Sequence, residues 1–497
     1  MKKIIIIGAG TGGLAAGIRL QSLGFSVEIY EKNEQVGGRM YQIKERGFTF
    51  DIGPTIVMMP AIYKEVFIFS KADPNDYIEM QRLDPMYSIH FPDKTKLDIS
   101  TNLTKLIAQL ESFNEEDAQG YLAYLADIYK RYCIAKKHFI EKPFGNAIDF
   151  YNPKSLYNAL KLRTLNSAYS SISHFVKDEK LRQALSFQTL YIGISPFVGP
   201  SIYTIIPMIE LLYGVWYIKG GMYSMAKAME KRFLELGGKI HLNKTIDEIL
   251  IQNKKIQGIQ IGKKKIQSDI VLCNADFPWA IQNLIKKERN RGKYQKEKLQ
   301  KMEYSSSSFI LYLGLTKKYP TNVHTIRFAK NFNKNIKDLF NFTIPNDPSF
   351  YIYSPSQIDP TMAPEGKEVL YILIPVPSLH NEKINWTKEK TESYKNKILK
   401  ILEKIPNFED IRKHIEIVKV FTPETFQEKF NFQYGATFGL KPTLLQSNYF
   451  RPQNTFKPIK GLYFTGSSNH PGAGVPLVLT SAKLATNEII KDYPNTL

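Results

Sequence analysis

The chain has only two cysteines among its 497 residues, Cys133 and Cys273, and they lie far apart. Their spacing matches neither a metal-binding pattern nor a disulfide framework, so we expect a reducing compartment. The sequence also lacks the H-E-x-x-H spacing of zinc hydrolases and the Ser-His-Asp order of a hydrolase triad. Metal-assisted hydrolysis and acyl transfer by such a triad are therefore excluded as explanations of its chemistry.

No stretch of the sequence is suited to cross a membrane as one helix. The longest uncharged segment, residues 183–209, is long enough, but Pro196, Pro200 and Pro207 break any continuous helix. This segment is either buried core, or a lipophilic substrate wall or interfacial patch. The apolar run at the N-terminus is too short for a signal peptide and is better explained as a strand.

Acidic residues are fewer than basic ones. The chain has 47 Asp and Glu against 67 Lys and Arg, a formal net charge of +20. This charge suits an anionic membrane surface, nucleic acid, or simply a lysine-rich genome. No nucleic-acid motif accompanies it, so nucleic acid ranks last. The densest basic stretch, residues 286–301, is first a solvated helical face or loop, and second a surface that rests on anionic lipid.

What the sequence does contain is a glycine-rich turn between a buried strand and a helix. Residues 4–7 are four isoleucines. Three glycines follow in G-x-G-x-x-G spacing: Gly8, Gly10 and Gly13. A second strand, residues 25–30, ends at Glu31. This order is typical of a dinucleotide-binding βαβ unit, with the pyrophosphate at the helix N-terminus and the carboxylate on a ribose hydroxyl. Glu31 argues against a 2′-phosphate, so NADP is not expected at this site.

A second glycine site follows at once, in the sequence KNEQVGGRM. Gly37 and Gly38 allow a turn to pass close under a large planar cofactor, and Arg39 supplies a phosphate or ring contact. A dehydrogenase that binds only a nicotinamide cofactor has no need of this element. Its presence therefore favours FAD.

The third site is near the C-terminus, in GLYFTGSSNHPGAGVPLVLTS at residues 461–481. Gly466 ends a strand where a flavin needs bare backbone, and Gly472 and Gly474 let main-chain N–H groups face its pyrimidine edge. Val475 and Pro476 fix the chain as it enters a final helix, expected over about residues 478–490. His470 is the titratable group of this loop. It is either a proton shuttle or a structural histidine, and the structural role is favoured.

Together these sites resemble the carotenoid and phytoene desaturase family, within the wider FAD amine-oxidase-like group, over essentially the whole chain. The similarity is strongest to the Gram-positive 4,4′-diapophytoene (dehydrosqualene) desaturase branch. It is carried by FDIGPTIVMMP at 50–60, FQTLYIGI at 187–194, YTIIPMIE at 203–210, GLKPTLLQSNYFRPQN at 439–454 and NHPGAGVPLVLTSAK at 469–483. Asn469 stands where that branch commonly has threonine, which leaves the interpretation unchanged.

The fold that follows is α/β, with a discontinuous Rossmann-like FAD-binding domain of the amine-oxidase-like kind. We predict that residues 1–66, 220–285 and 446–497 form this domain. Residues 67–219 and 286–445 form an inserted, mixed α+β domain for substrate binding and membrane association. The first insertion is predicted to be mainly helical, and the second mixes short apolar strands with a helix near residues 387–404.

The resemblance and the three sites together give a predicted set of site residues. The FAD-binding residues are expected to be Gly8, Gly10, Gly12, Gly13, Glu31, Lys32, Gly38, Arg39, Gly53, Pro54, Thr55, Ile246, Gly466, Gly472, Gly474, Val475 and Pro476. His470 is the candidate catalytic residue, and no metal is expected.

The resemblance implies successive dehydrogenation of a C30 carotenoid precursor, from 4,4′-diapophytoene to 4,4′-diaponeurosporene. A hydride leaves an allylic carbon for flavin N5, and the neighbouring carbon loses a proton. The implied partners are a lipophilic polyene, an anionic membrane surface, and oxygen or a quinone as electron acceptor, with no nucleic acid. The expected location is cytoplasmic, peripherally bound to the inner face of the cell membrane.

Four alternatives remain open at this point. The first is an oxidase of the terminal methyl group of a diapocarotenoid, and the second is a C40 phytoene desaturase. The third is a flavin amine oxidase, which would need an acidic or aromatic cage for a cation rather than a long uncharged segment. The last alternative is a flavin-binding protein without turnover.

Overall fold

The computed structural model describes residues 2–142, 148 and 151–494, and these form a mixed α/β protein. Its strands are β1 (Lys3–Ile7), β2 (Ser26–Tyr30), β3 (Gln42–Glu45), β4 (Phe48–Asp51), β5 (Val57–Met58), β6 (Met80–Arg82), β7 (Tyr87–His90), β8 (Lys96–Ile99), β9 (Val215–Ile218), β10 (Lys239–His241), β11 (Glu248–Gln252), β12 (Lys255–Ile261), β13 (Lys264–Gln267), β14 (Ile270–Cys273), β15 (Ser307–Leu315), β16 (His324–Arg327), β17 (Phe350–Tyr353), β18 (Glu368–Val376), β19 (Ile415–Phe421) and β20 (Leu462–Phe464). Its α-helices are α1 (Thr11–Ser22), α2 (Pro60–Phe69), α3 (Leu103–Phe113), α4 (Glu115–Ala135), α5 (Pro153–Lys161), α6 (Ala168–Ser173), α7 (Glu179–Ser186), α8 (Ile205–Tyr213), α9 (Tyr223–Glu235), α10 (Phe277–Leu284), α11 (Lys296–Lys301), α12 (Phe332–Phe340), α13 (Lys388–Leu402), α14 (Pro423–Phe430) and α15 (Val475–Asp492).

A five-stranded parallel sheet joins three distant parts of the chain. Its order is β10-β2-β1-β14-β20, and Ile7 pairs in register with Tyr30 on one side and Cys273 on the other. Ile4 and Ile6 pack in the core that includes α1, α9 and α15, while Ile5 and Ile7 pack against β11, β12 and α10. A parallel sheet buried on both faces requires an unbroken apolar strand, which explains the isoleucine run.

The segments next to this sheet differ in detail from the sequence expectation. β13, which was not predicted, pairs with β12 and joins β11 and β12 in a three-stranded sheet. The basic stretch at 286–301 forms a short turn and α11, with Tyr294 and Leu299 buried beneath it and its lysines exposed. That arrangement agrees with a solvated helical face. α15 begins at Val475 rather than near Val478, because Pro476 occupies its first turn, where proline is well tolerated.

A seven-stranded mixed sheet forms the second layer, in the order β19-β15-β18-β17-β16-β7-β8. Alternate residues of β18 lie on opposite faces, as strand geometry requires. Leu370, Ile372 and Ile374 pack in the core that includes α13. Tyr371 and Leu373 point the other way, toward the cavity described below.

The long uncharged segment at 183–209 is folded into several short pieces. The end of α7 is followed by 3₁₀ turns at Phe187–Ile192 and Ser201–Thr204, and then by α8. Phe187 and Ile205 are buried in the largest apolar core. Within the described residues, no helix combines the length and the hydropathy needed to pass through a bilayer.

Candidate active site

The glycine-rich turn places backbone, rather than side chains, at the end of the parallel sheet. After Ile7, Gly8 takes a φ of 94°, in the region that favours glycine. α1 begins without a side-chain cap at Gly10. A Cβ on Gly13 would lie 2.1 Å from the Gly8 carbonyl oxygen, so only glycine lets the helix pack this closely. The first turn of α1 is thereby left open toward the cavity, as an anion-binding helix N-terminus requires.

Glu31 follows β2 with its carboxylate held in place by three hydrogen bonds. Oε1 accepts from the backbone N–H and the side-chain amide of Asn33, at 2.9 and 2.8 Å. Oε2 accepts from the Ala9 N–H at 2.8 Å. A carboxylate oxygen has about two acceptor positions, so Oε2 keeps one for a further donor. This geometry fits a ribose hydroxyl that donates to Oε2.

Arg39 is a partly buried cation that lines the cavity. Its guanidinium donates to the Thr437 carbonyl at 2.5 Å and to Ser467 Oγ at 2.6 Å, and it lies 4.6 Å from the centroid of the Phe432 ring. Burial lowers the pKa of Arg39 to about 10, and the charge of Asp276 opposes that shift. No carboxylate in the described part of the chain forms a salt bridge with Arg39, so its charge suits an anionic ligand such as a pyrophosphate.

The glycines of the first and third sites serve two different purposes. Asn274, directly after β14, donates from Nδ2 to the Gly8 carbonyl at 3.3 Å, and a Cβ on Gly12 would lie 2.6 Å from its Oδ1. Gly12 is therefore required by packing within the protein. A Cβ on Gly466 would have its nearest neighbour at 3.6 Å, and one on Gly474 would have none within 4 Å. These two positions leave room for a ligand beside bare backbone.

One cavity of about 390 Å³ collects nearly all the predicted cofactor residues. All of them line it except Gly13, which positions α1, and Gly472. His470 is also outside the lining; it is fully buried, and its Nε2 lies 3.0 Å from the Lys142 carbonyl oxygen. Cofactor contacts and a role for His470 therefore stay predictions, although the sheet brings the three predicted sites to one place.

The far end of this cavity is apolar. Its wall comes from the cavity face of the seven-stranded sheet and from the turn after α7. The apolar and aromatic residues of this wall are Phe187, Leu190, Tyr191, Ile310, Ile326, Phe328, Phe332, Phe350, Tyr351, Tyr371 and Leu373. The segment at 183–209 thus supplies both buried core and cavity wall. That this wall holds a lipophilic substrate stays a prediction.

The charged residues of the lining come from other elements than this wall. They are Glu31, Lys32, Arg39, Lys244 and Asp276. Each belongs to the segments that follow β2, β10 or β14, at the carboxyl edge of the parallel sheet. Ligands of open α/β sheets bind at this edge. The cavity therefore combines a charged region, which suits a nucleotide, with an uncharged apolar wall.

Sequence reasoning missed a buried hub next to the third site. Arg451 is fully buried, and its guanidinium donates to four backbone carbonyls, those of Leu440, Gln446, Ser467 and Asn469, at 2.6 to 3.1 Å. The motif that contains Arg451 carries part of the family resemblance but gives no sign of these contacts. Asn274 and Asp276 were also missed, although their place directly after a buried parallel strand was a usable signal.

A buried carboxyl lies behind the apolar wall and predicts an unusual pH dependence. Glu210 on α8 is fully buried, and Tyr87 donates to its Oε2 at 2.7 Å. Burial raises the pKa of Glu210 from 4.5 to about 8. A folded-state pKa above the unfolded one means that its contribution to stability is complete below about pH 4.5 and is lost as pH rises through 8.

We therefore expect Glu210→Gln to remove this loss. At pH 5 the variant should lie within about 1 kcal/mol of the unsubstituted protein in free energy of unfolding, because Glu210 is neutral in the folded state and has only begun to lose stability through ionisation of the unfolded state. At pH 9 it should be more stable by on the order of 3–4 kcal/mol. Urea unfolding at both pH values measures the difference. Equal gaps between the two proteins at pH 5 and pH 9 would contradict the prediction.

The sequence of this chain is similar to those of known proteins over nearly its full length. A family model described as flavin containing amine oxidoreductase matches residues 11–490. The chain is 46% identical over 494 residues to a 4,4′-diapophytoene desaturase (4,4′-diaponeurosporene-forming) of Staphylococcus haemolyticus strain JCSC1435, covering 98% of this chain and 99% of the relative. It is 44% identical over 496 residues to the enzyme of the same description from Staphylococcus aureus strain Newman, covering 99% of both.

Solved structures show the same fold at low identity. An oxidoreductase from Methanosarcina mazei superposes with a TM-score of 0.65 at 18% identity, over 98% of this chain and all of that one. Putrescine oxidase bound to putrescine superposes with a TM-score of 0.61 at 12% identity, over 99% of each chain. At these identities the likeness speaks for the fold alone.

Proposed function

We infer that this chain, which belongs to the flavin containing amine oxidoreductase family, is an oxidoreductase that desaturates 4,4′-diapophytoene to 4,4′-diaponeurosporene. The predicted family, amine-oxidase-like fold class and enzyme class are confirmed at this level. The observation that carries the proposal is the cavity, in which a charged region suited to a nucleotide adjoins an uncharged aromatic wall. A long polyene has no charge to pair, and this wall offers none.

We further propose that the flavin is FAD. A dinucleotide explains the open N-terminus of α1, the acceptor position left on Glu31 and the charge of Arg39, which forms no salt bridge with a carboxylate of the described residues, better than a mononucleotide does. The proposed FAD domain consists of residues 1–66, 220–285 and 446–497, which contribute all five strands of the parallel sheet. The proposed substrate domain consists of residues 67–219 and 286–445.

In this proposal the residues of the chain bind and orient the cofactor and the substrate, and they exclude water from the cavity. When bound, the flavin accepts the hydride that a dehydrogenation releases. Arg39 and the first turn of α1 bind the anionic part of the cofactor, and Glu31 fixes its ribose. Tyr371 and Leu373, with the other residues of the aromatic wall, hold the polyene chain and keep water from the reacting carbons. Oxygen or a quinone is proposed as the electron acceptor that would restore the oxidised cofactor.

The test is turnover by the purified flavoprotein. Addition of 4,4′-diapophytoene in detergent or vesicles should produce polyenes with stepwise longer chromophores, identified by chromatography and absorbance. An aldehyde product would instead indicate oxidation of a terminal methyl group. Preference for C40 phytoene would shift the substrate assignment. Peroxide release from polyamines without polyene turnover would favour an amine oxidase, and an unchanged flavin spectrum with polyene would mean binding only.

A membrane-facing surface is the second part of the proposal, and α5 supports it. The helix carries its apolar residues on the outside: Leu156 and Leu160 are 63% and 68% exposed, and Tyr157 is exposed between them. Ser155 and Asn158 are the buried positions. This is the reverse of a helix that packs on a core, where the apolar side is buried. Such a face fits insertion into a lipid interface.

Basic residues surround this face. Leu165, shortly after α5, is 87% exposed, and Lys154, Lys161 and Arg163 are exposed beside it. We propose that this surface rests on anionic lipid, with the basic side chains among the headgroups. An apolar substrate dissolved in the bilayer would then reach the protein without crossing water.

Serine at Leu156, Leu160 and Leu165 together should lower binding to vesicles by at least tenfold, because their apolar area no longer enters the lipid. Cosedimentation with phosphatidylglycerol vesicles measures the change, and phosphatidylcholine vesicles measure the contribution of charge. Leu234→Ser is the matched control, since Leu234 is an exposed leucine on α9. Unchanged binding of the triple variant would remove this surface from the proposal.

A further inference from the structure

A chain of three hydrogen-bonded side chains leads from the cavity wall into the protein core. Thr55 Oγ1 and the Tyr351 hydroxyl oxygen are 2.7 Å apart, and the same Tyr351 oxygen is 2.7 Å from His324 Nδ1. Thr55 and Tyr351 line the cavity, whereas His324 lies behind them and is 1% exposed. The chain therefore connects the site of the proposed reaction with a buried imidazole.

The imidazole of His324 sits among aromatic rings rather than charges. The rings of Tyr353 and Tyr351 stack on it, with centroids 5.2 and 5.8 Å away. Burial lowers the pKa of His324 to about 3, so the ring is neutral. Among the described residues its Nε2 has no hydrogen-bond partner. A buried nitrogen without a hydrogen-bond partner lowers stability, because it loses its hydration and gains no hydrogen bond in return. Folding stability alone therefore does not explain a histidine at this position, which suggests a functional role.

The apolar wall, where the substrate is proposed to react, contains no charged residue that could act as a base. The charged lining residues all belong to the segments that follow β2, β10 or β14. Thr55 follows Gly53 and Pro54, in the segment expected to contact the cofactor, and a Cβ on Gly53 would lie 2.2 Å from the Arg39 carbonyl oxygen. The hydroxyl of Thr55 is thus on the segment that meets both the proposed cofactor residues and the substrate wall.

We propose that Thr55 and Tyr351 accept the proton that the polyene loses and pass it to His324 Nδ1. This rests on the proposed desaturation. The hydride leaves one carbon for the flavin, and the C–H bond of the neighbouring carbon then breaks, its electron pair forming the new double bond. The proton goes to Thr55 Oγ1, the Thr55 proton to the Tyr351 oxygen, and the Tyr351 proton to Nδ1. A carbon next to an allylic cation is acidic enough for these weak bases.

Conservative variants separate this role from packing. Tyr351→Phe and Thr55→Val keep shape but break the chain, and each should lower kcat at least 100-fold while KM changes less than threefold. Thr55→Ser keeps the hydroxyl and should stay within fivefold of the unsubstituted enzyme. Tyr353→Phe is the matched control: that hydroxyl has no partner among the described residues, and the variant should retain full turnover.

Two readouts do not depend on turnover. Flavin content and the visible flavin spectrum should be unchanged in Tyr351→Phe and Tyr353→Phe, because neither residue belongs to the predicted cofactor set. The imidazole ¹⁵N spectrum of histidine-labelled protein, assigned with His324→Gln, should show Nδ1 of His324 as an unprotonated acceptor, shifted by Tyr351→Phe and not by Tyr353→Phe. A protonated Nδ1, or normal kcat in Tyr351→Phe, would overturn the proposal. Absence of polyene turnover in the unsubstituted enzyme would instead overturn the desaturase function.

Discussion

Gly10→Val should fold but purify without flavin. Gly10 lies at the start of α1 with extended backbone, so the conformation itself permits a side chain. A Cβ there would lie 2.8 Å from Asn274 Nδ2 and 3.8 Å from the Gly38 Cα. The valine methyl groups would enter the space that the pyrophosphate needs at the helix N-terminus. Absorbance near 450 nm per protein, with circular dichroism to check folding, measures the loss.

The matched control is Gly24→Ala, at the turn between α1 and β2. Gly24 has a φ of 87° and open space around its Cβ position, so alanine costs about 1 kcal/mol of backbone strain without touching the cavity. This variant should be somewhat less stable but fully yellow. A fully loaded Gly10→Val protein would show that the cofactor is not seated at this turn, and the FAD proposal would fail with it.

The first site was predictable because its residues are contiguous. Strand, turn and helix lie within 31 residues, and each glycine has a local reason that spacing reveals. Gly13 is the glycine that lets the helix pack closely on the strand, as this fingerprint requires. It is required by the Gly8 carbonyl rather than by a ligand, and it lies outside the cavity lining. Spacing identifies where a glycine is needed but does not say which atom comes close.

The apolar wall was less predictable because it depends on long-range pairing. The strand VLYILIPV is apolar throughout, so period-two alternation could not separate the face on α13 from the face on the cavity. The proton chain shows the same limit more strongly. Thr55 and Tyr351 are 296 residues apart in sequence, and only the packing of the sheet on the 53–55 segment brings their oxygens together. No local pattern contains that information.

Arg451→Met should destabilise the protein strongly and release the flavin. Its four carbonyl acceptors belong to residues 440–446 and 467–469, two segments that are also joined by a hydrogen bond from the Leu440 N–H to Ser468 Oγ at 3.3 Å. Ser467 also receives a hydrogen bond from Arg39. Hydrogen bonds to a charged group contribute about 1.5–3 kcal/mol each, and the bare carbonyls would remain buried. We expect a loss of roughly 4–6 kcal/mol in the free energy of unfolding, at the upper end for one substitution.

The distinguishing feature is that the loss should reach flavin affinity as well as stability. With Ser467 released, Arg39 loses a partner that holds its guanidinium at the cavity, so flavin binding should weaken by at least tenfold in fluorescence titration. Arg291→Met is the control: Arg291 is buried and donates to the Ile285 and Gln282 carbonyls, at 2.9 and 3.1 Å, but does not line the cavity. It should lower stability and leave flavin affinity unchanged.

Arg451→Lys keeps the charge but cannot span four acceptors, so its effect should be intermediate. Normal flavin affinity in a folded Arg451→Met protein would mean that the hub supports the fold alone.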